Sequence, residues 1–187
     1  MLYYKGEGVP QDYAKARVLF EKAAAQGDAT ARACLGEIYA DGKGVLQDYA
    51  KAREYWESLA AQGDAQVQSA LGVLYFHGQG VARDIARARE LWEKAAAQGN
   101  AGAQVNLGLM HYKGVGVPQD HARARGLFEQ AAAQGDAQAR VCLGKMLEEG
   151  KGGPQDRDAA REWFGKACGQ GYTQACDEYR KLDEAGH

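Results

Sequence analysis

No apolar run in this 187-residue sequence approaches the roughly 18 residues that a bilayer-spanning helix needs, so no membrane insertion is expected. Basic residues are not in excess. Lys and Arg number 23 against 25 Asp and Glu, for a net charge of −2. A nucleic-acid partner would require a basic stripe to neutralise phosphates, and none is expected here. The opening MLYYKGEGVP lacks the basic and then apolar stretch of a signal peptide. Four cysteines are too few to imply a disulfide scaffold by composition. Serine is confined to Ser58 and Ser69, and neither sits in S-x-x-K or beside a paired lysine. His77, His111, His121 and His187 have no metal-ligand spacing. No nucleophile–base–orienter set is readable, and the G-x-G strings follow helical segments rather than strands, as turn residues do. No catalytic, cofactor-binding or metal residue is therefore expected, and the chain reads as a non-enzyme. Hydrophobic residues at 45% and charged residues at 26% are a globular balance rather than a disordered one.

Proline is scarce, at 3 residues, while glycine is abundant, at 25, and the glycines are periodic. Gly27, Gly63, Gly99, Gly135 and Gly171 are each 36 residues apart. The same step joins Gly36, Gly72, Gly108 and Gly144; Gly8, Gly44, Gly80, Gly116 and Gly152; and Asp12, Asp48, Asp84, Asp120 and Asp156. Copies in register without a slip define an internal repeat. Each period carries two helical segments. In the first, Ala31, Leu35, Ile38 and Tyr39 form an apolar stripe at helical spacing, behind an N-cap at Asp28 and ahead of Gly42. In the second, Tyr49, Ala52, Trp56 and Leu59 form the stripe between Asp48 and Gly63. The pattern predicts helices near 11–25, 28–41, 47–61, 64–77, 83–97, 100–113, 119–133, 136–149 and 155–169, with a polar capping helix near 172–184 and a remnant of a helix at the start. Short linkers make neighbouring helices antiparallel. Glycine inside a helix costs about 1 kcal/mol relative to Ala. Its recurrence at 36, 72, 108 and 144 therefore predicts close helix approach, with Ala16, Ala52, Ala88, Ala124 and Ala160 as the matching small surface. Phe20, Trp56, Trp92, Phe128 and Phe164 would fill the layer beside it.

The string running from Ala31 through Leu35-Gly36, Tyr39, the G-x-G-V of 42–45, Asp48-Tyr49, Lys51-Ala52 and Trp56 to Gln62-Gly63, with its copies, resembles the Sel-1-like repeat. That family is related to the tetratricopeptide repeat. The resemblance covers essentially the whole chain. It implies an all-α, right-handed α/α superhelical solenoid, divided as a partial repeat 1–27, repeats 28–63, 64–99, 100–135 and 136–171, and a capping helix 172–187, all one domain over 1–187. It also implies an interaction scaffold whose partner is another protein or peptide, acting as a monomer. Bacterial members are common in the envelope and in secretion, which favours a periplasmic or secreted setting over the cytoplasm.

Cys168 and Cys176 span the Gly171 turn. They resemble the pair that, in the cysteine-rich branch of this family, staples one repeat's second helix to the next repeat's first. The alternative is two reduced core residues, since Ala132 stands one repeat before Cys168. Cys34 and Cys142 are expected as buried thiols. By analogy with the tetratricopeptide groove, the copies of positions 30, 33, 37, 40 and 41 face a ligand. Those are Ser69, Val73, Phe76, His77, Val105, Leu109, Tyr112, Lys113 and Lys145, flanked by Glu37, Asp41, Glu148 and Glu149. These positions vary between repeats while the core positions do not. The other reading is that they pack against the next repeat. Two further functions stay open: a penicillin-binding or β-lactamase-like hydrolase, as described for some cysteine-rich relatives, and a purely structural spacer.

Overall fold

A computed structural model of the chain describes residues 1–185, and among them are eleven helices and no strand. They are α1 (Leu2–Lys5), α2 (Tyr13–Ala25), α3 (Ala29–Asp41), α4 (Tyr49–Ala61), α5 (Ala65–His77), α6 (Ile85–Ala97), α7 (Ala101–Lys113), α8 (His121–Ala133), α9 (Ala137–Glu149), α10 (Arg157–Cys168) and α11 (Thr173–Ala185). The α1 remnant, the nine full helices α2–α10 and the cap α11 stand in the expected register. They start one or two residues later than expected, in most cases because the Asp or Asn before them is a cap outside the helix. Asp28 Oδ1 accepts the amide of Ala31 at 2.7 Å, and Asp48 Oδ1 that of Lys51 at 3.0 Å. The first helices end on a left-handed glycine, Gly42 at φ 67° being one. Beyond it the linker is tied back: the amide of Asp48 donates to the Tyr39 carbonyl at 2.8 Å, and Gln47 Nε2 to the Ala40 carbonyl at 2.7 Å.

The chain falls into two compact units, Met1–Ala95 and the residues from Ala96 onward. In the first, Leu35, Ile38, Trp56 and Leu71 are buried in one apolar cluster. In the second, Phe128, Leu143, Met146 and Phe164 form another.

The mid-helix glycines are explained differently from the small-against-small expectation. A Cβ on Gly36 would sit 1.9 Å from Trp56 Nε1, and one on Gly72 would sit 2.5 Å from Trp92 Nε1. Gly108 and Gly144 face Phe128 and Phe164 in the same way. What lies against each glycine is the aromatic ring of its own hairpin's second helix. In the two Trp repeats the ring is also fixed by a hydrogen bond. Trp56 Nε1 donates to the Ala33 carbonyl at 3.2 Å, and Trp92 Nε1 to the Ser69 carbonyl at 3.0 Å.

The turn glycines also do more than turn. Gly80 has φ 66°, and a Cβ on it would lie 2.4 Å from the amide nitrogen of Ala50. Gly44 meets Tyr13, and Gly152 meets the carbonyl of His121, in the corresponding way. The linker after each of these first helices packs onto the start of the preceding repeat's second helix, so these glycines set repeat-to-repeat spacing.

Across the turn from second helix to next first helix runs another repeated tie. Gln68 Nε2 donates to the Ala60 carbonyl at 2.9 Å, Gln104 Nε2 to Ala96 at 3.5 Å, and Arg140 Nε to Ala132 at 3.3 Å. In the last copy of this position, Cys176 is joined to Cys168 by a disulfide. Cys34 is buried and Cys142 half-buried, both as free thiols whose pKa burial raises.

Candidate functional site: a cleft between neighbouring first helices

The sequence-predicted groove residues divide between the two units. In the first, Ser69 is 8% exposed, with its carbonyl engaged by Trp92, so its side chain does not line an open surface. Val73 and Phe76 are half-buried, and His77 is exposed. The Phe76 ring leans on Trp92, with centroids 5.3 Å apart, and the Arg83 guanidinium covers its outer side at 5.8 Å. In the second unit, Val105 is 3% exposed and belongs to the core cluster. Ser69 and Val105 are therefore buried rather than exposed on a groove surface, whereas Ala33 at the same repeat position is only half-buried. Leu109 and Tyr112 are partly buried at the edge of that cluster, Lys145 is half-buried, and Lys113 is exposed. Tyr112 is occupied: Lys151 Nζ donates to its hydroxyl at 2.8 Å, lies 5.1 Å above its ring and pairs with Glu149 at 2.6 Å. His111 is buried in the place where Tyr39 is buried in the first unit. His187 lies outside the described residues.

The first unit has a distinct concavity. A cleft of about 460 Å³ opens between α3 and α5. Ala33 and Ala40 on α3, Val67 and Ala70 on α5, and Trp56 form its apolar lining. Glu37 and Asp41 on α3 and Asp64 at the start of α5 bring three carboxylates to it, against one ammonium, that of Lys43. Position 40 in this lining is alanine. The same repeat position carries Tyr4, Phe76, Tyr112 and Glu148 elsewhere, so one large side chain is missing here. The sequence pattern placed positions 33, 37, 40 and 41 on the groove face and Trp56 in the packing layer, but it did not bring Asp64, Val67 or Ala70 to the site. The usable signal was the small residue at 40 among large copies.

Polar contacts hold the rim. The Tyr4 hydroxyl donates to Glu37 Oε2 at 2.8 Å, and Lys43 Nζ donates to the Tyr4 oxygen at 3.3 Å. Lys43 pairs with Asp41 at 2.8 Å. Burial, followed by the Glu37 hydrogen bond, pushes the Tyr4 phenol up to about 12. The Lys43 ammonium is likewise held protonated above its ordinary range, chiefly by Asp41. Tyr4 with Lys43 is repeated as Tyr112 with Lys151, three repeats on. Among the described residues no group of three or more His, Cys, Asp or Glu is placed to hold a metal ion. No described helix is long and apolar enough to cross a membrane. The arrangement offers an apolar floor under a negatively charged rim, which is suited to binding.

No curated protein matches the chain. Its structure is similar to that of a protective antigen of uropathogenic Escherichia coli strains displaying an SLR fold, at 37% identity and a TM-score of 0.87 over 99% of this chain. The chain spans only 40% of that antigen's length. A Sel1 repeat protein from Oxalobacter formigenes is 29% identical with a TM-score of 0.88, covering 100% of this chain and 74% of that one. An immunity protein from Pseudomonas aeruginosa, 23% identical with a TM-score of 0.59 over 85% of this chain and 59% of its own, shares the fold. The family model described as Sel1 repeat matches residues 1–28, 31–64, 65–100, 101–136 and 136–172. Five matched copies, in the register that the glycines and aspartates mark, show that the chain belongs to the Sel1 repeat family.

Proposed function

We propose that this chain is a non-catalytic scaffold that binds a peptide or a segment of a partner protein on the open face of its first helices. Sel1 repeat proteins generally act as protein-interaction scaffolds, and the fold is typically non-catalytic. The observation that supports this reading here is the contrast between constant and variable repeat positions. The glycine and aromatic pairs of the core recur in each hairpin, whereas position 40 and its copies run Tyr4, Ala40, Phe76, Tyr112 and Glu148. Packing alone would favour one residue at equivalent sites. A surface shaped for a partner favours different ones.

The test is affinity capture with the full chain and identification of what is bound. Tyr112→Ala and Phe76→Ala are each expected to weaken a partner that uses their unit by about 2 kcal/mol, since aromatic anchors dominate interface energetics. Phe76→Ala is also expected to lower stability, because that ring is half-buried and packs on Trp92. A chromogenic lactam should not be turned over. Capture of nothing beyond a scrambled-repeat control, or lactam turnover, would overturn the reading.

A further inference from the structure

We infer that the α3–α5 cleft of the first unit receives the side chain of an arginine carried on an extended segment of a partner protein. This rests on the scaffold reading and names the chemistry it recognises.

The lining dictates the occupant. Alanine at 40 leaves the room that an aromatic ring takes in other repeats, and about 460 Å³ accommodates a long flat side chain with part of its backbone. The walls of Ala33, Ala70 and Val67 are apolar and suit the methylene stem of such a residue. The rim is negatively charged. Glu37 retains acceptor capacity beyond its single Tyr4 hydrogen bond, and Asp64 adds a second carboxylate. Lys43 offsets Asp41 and no more. An anion is therefore repelled, and a neutral side chain would bring no cation to Glu37 and Asp64. Guanidinium fits better than ammonium. It is planar and weakly hydrated, so it lies flat against an apolar floor, and it carries five donors against the three of an ammonium. The indole N–H is already committed to Ala33, so Trp56 offers its ring system rather than a donor. Free arginine would bring its own carboxylate to the negatively charged rim, whereas a peptide-borne arginine does not. That selects a protein segment over the amino acid.

The experiment is a titration of the full ¹⁵N-labelled chain with acetyl-Gly-Gly-Arg-Gly-Gly-amide, alongside the same peptide with citrulline or glutamate in place of arginine. The arginine peptide should shift the Trp56 indole N–H and the amides of Ala40 and Ala70 saturably. The citrulline peptide, of the same shape without the charge, should bind at least about tenfold more weakly, as should the arginine peptide at high salt. Glu37→Gln keeps an acceptor for Tyr4 and should weaken the arginine peptide about tenfold. Ala40→Tyr, which restores the ring present at Tyr4 and Tyr112, should abolish its binding. Equal binding of the citrulline peptide, no saturable shift, or indifference to Glu37→Gln would overturn the inference even if Ala40→Tyr failed to fold. A captured partner that is insensitive to both substitutions would overturn the cleft assignment and leave the scaffold reading standing. Failure to capture any partner, with the arginine peptide still binding in the cleft, would do the reverse.

Discussion

At the scale of single residues, three glycines in similar helical or turn settings have different reasons for being glycine. Gly72 is pressed by the Trp92 ring, Gly80 by the backbone of Ala50, and Gly126, inside α8, by nothing within 4 Å. Gly126→Ala should raise stability by about 0.5–1 kcal/mol, because it removes only the backbone freedom of glycine. Gly72→Ala should lower it by about 1–3 kcal/mol, the usual range for overpacking. Gly80→Ala, which on turn conformation alone would cost about 1 kcal/mol, should cost at least as much as Gly72→Ala. Its new methyl meets backbone, which cannot rotate away, at a positive φ. Urea midpoints of the three variants check the order, and a stabilised Gly80→Ala would refute it. The periodicity of these glycines was legible in the sequence. Their partners were not, since a 36-residue step says that a position matters without saying what touches it.

Tyr4 gives a pH prediction at the same scale. Its phenol is raised from 10.0 to about 12 in the folded chain. Between those values the folded state keeps a proton that the unfolded state has lost. The contribution is therefore present below pH 10 and disappears as the pH rises towards 12. Tyr55, also raised by burial, acts with the same sign. Tyr4→Phe should lessen the alkaline loss of stability without removing it, as read from urea midpoints between pH 9 and 12.

At the scale of elements, the turn from each second helix to the next first helix is stapled. Gln68, Gln104 and Arg140 do it with a hydrogen bond to the carbonyl eight residues back, and Cys176 does it with a covalent bond to Cys168. The polar cap α11 has only Ala175 as a fully buried hydrophobic residue among those described, with Tyr179 and Leu182 partly buried against the core. A covalent tie is best placed where packing is weakest. Replacing both cysteines by alanine should cost about 2–3 kcal/mol in the chain-entropy estimate. Gln68→Ala should cost about 1–2 kcal/mol for the lost buried hydrogen bond. Circular dichroism of the double variant should show loss of α11 helix before the main transition, and a single unchanged transition would refute the staple's role. Helix limits were readable to within two residues because capping aspartates and terminal glycines are local signals. The 36-residue step made Gln68, Gln104 and Arg140 the positional counterparts of Cys176, but not the shared tie, since a side-chain hydrogen bond and a disulfide look unrelated until both are seen to reach the same place.

At the scale of the whole chain, a repeat array is stabilised by neighbour contacts, and its ends have fewer of them. Helix α1 has no buried residue, whereas α3, α5, α7 and α9 each have six or seven. Amide hydrogen exchange should therefore be fastest in α1 and α11 and slowest in the interior first helices. Uniform protection from end to end would contradict it.

The sequence by itself determined the helices, their order and the repeat. Caps, turns and apolar spacing act over a few residues, and the 36-residue step makes each of them visible several times. It also carried the family resemblance that the matched repeats now show. Only the tertiary structure decided which first-helix residues are surface. Ser69 and Val105 are on the expected helix face by register but are buried. It also decided where the concavity lies. The cleft lies beside Ala40 and Glu37 on α3 and takes its other walls from Trp56 on α4 and Asp64, Val67 and Ala70 at α5. Such a coincidence of distant residues depends on packing, which no local pattern in the sequence encodes.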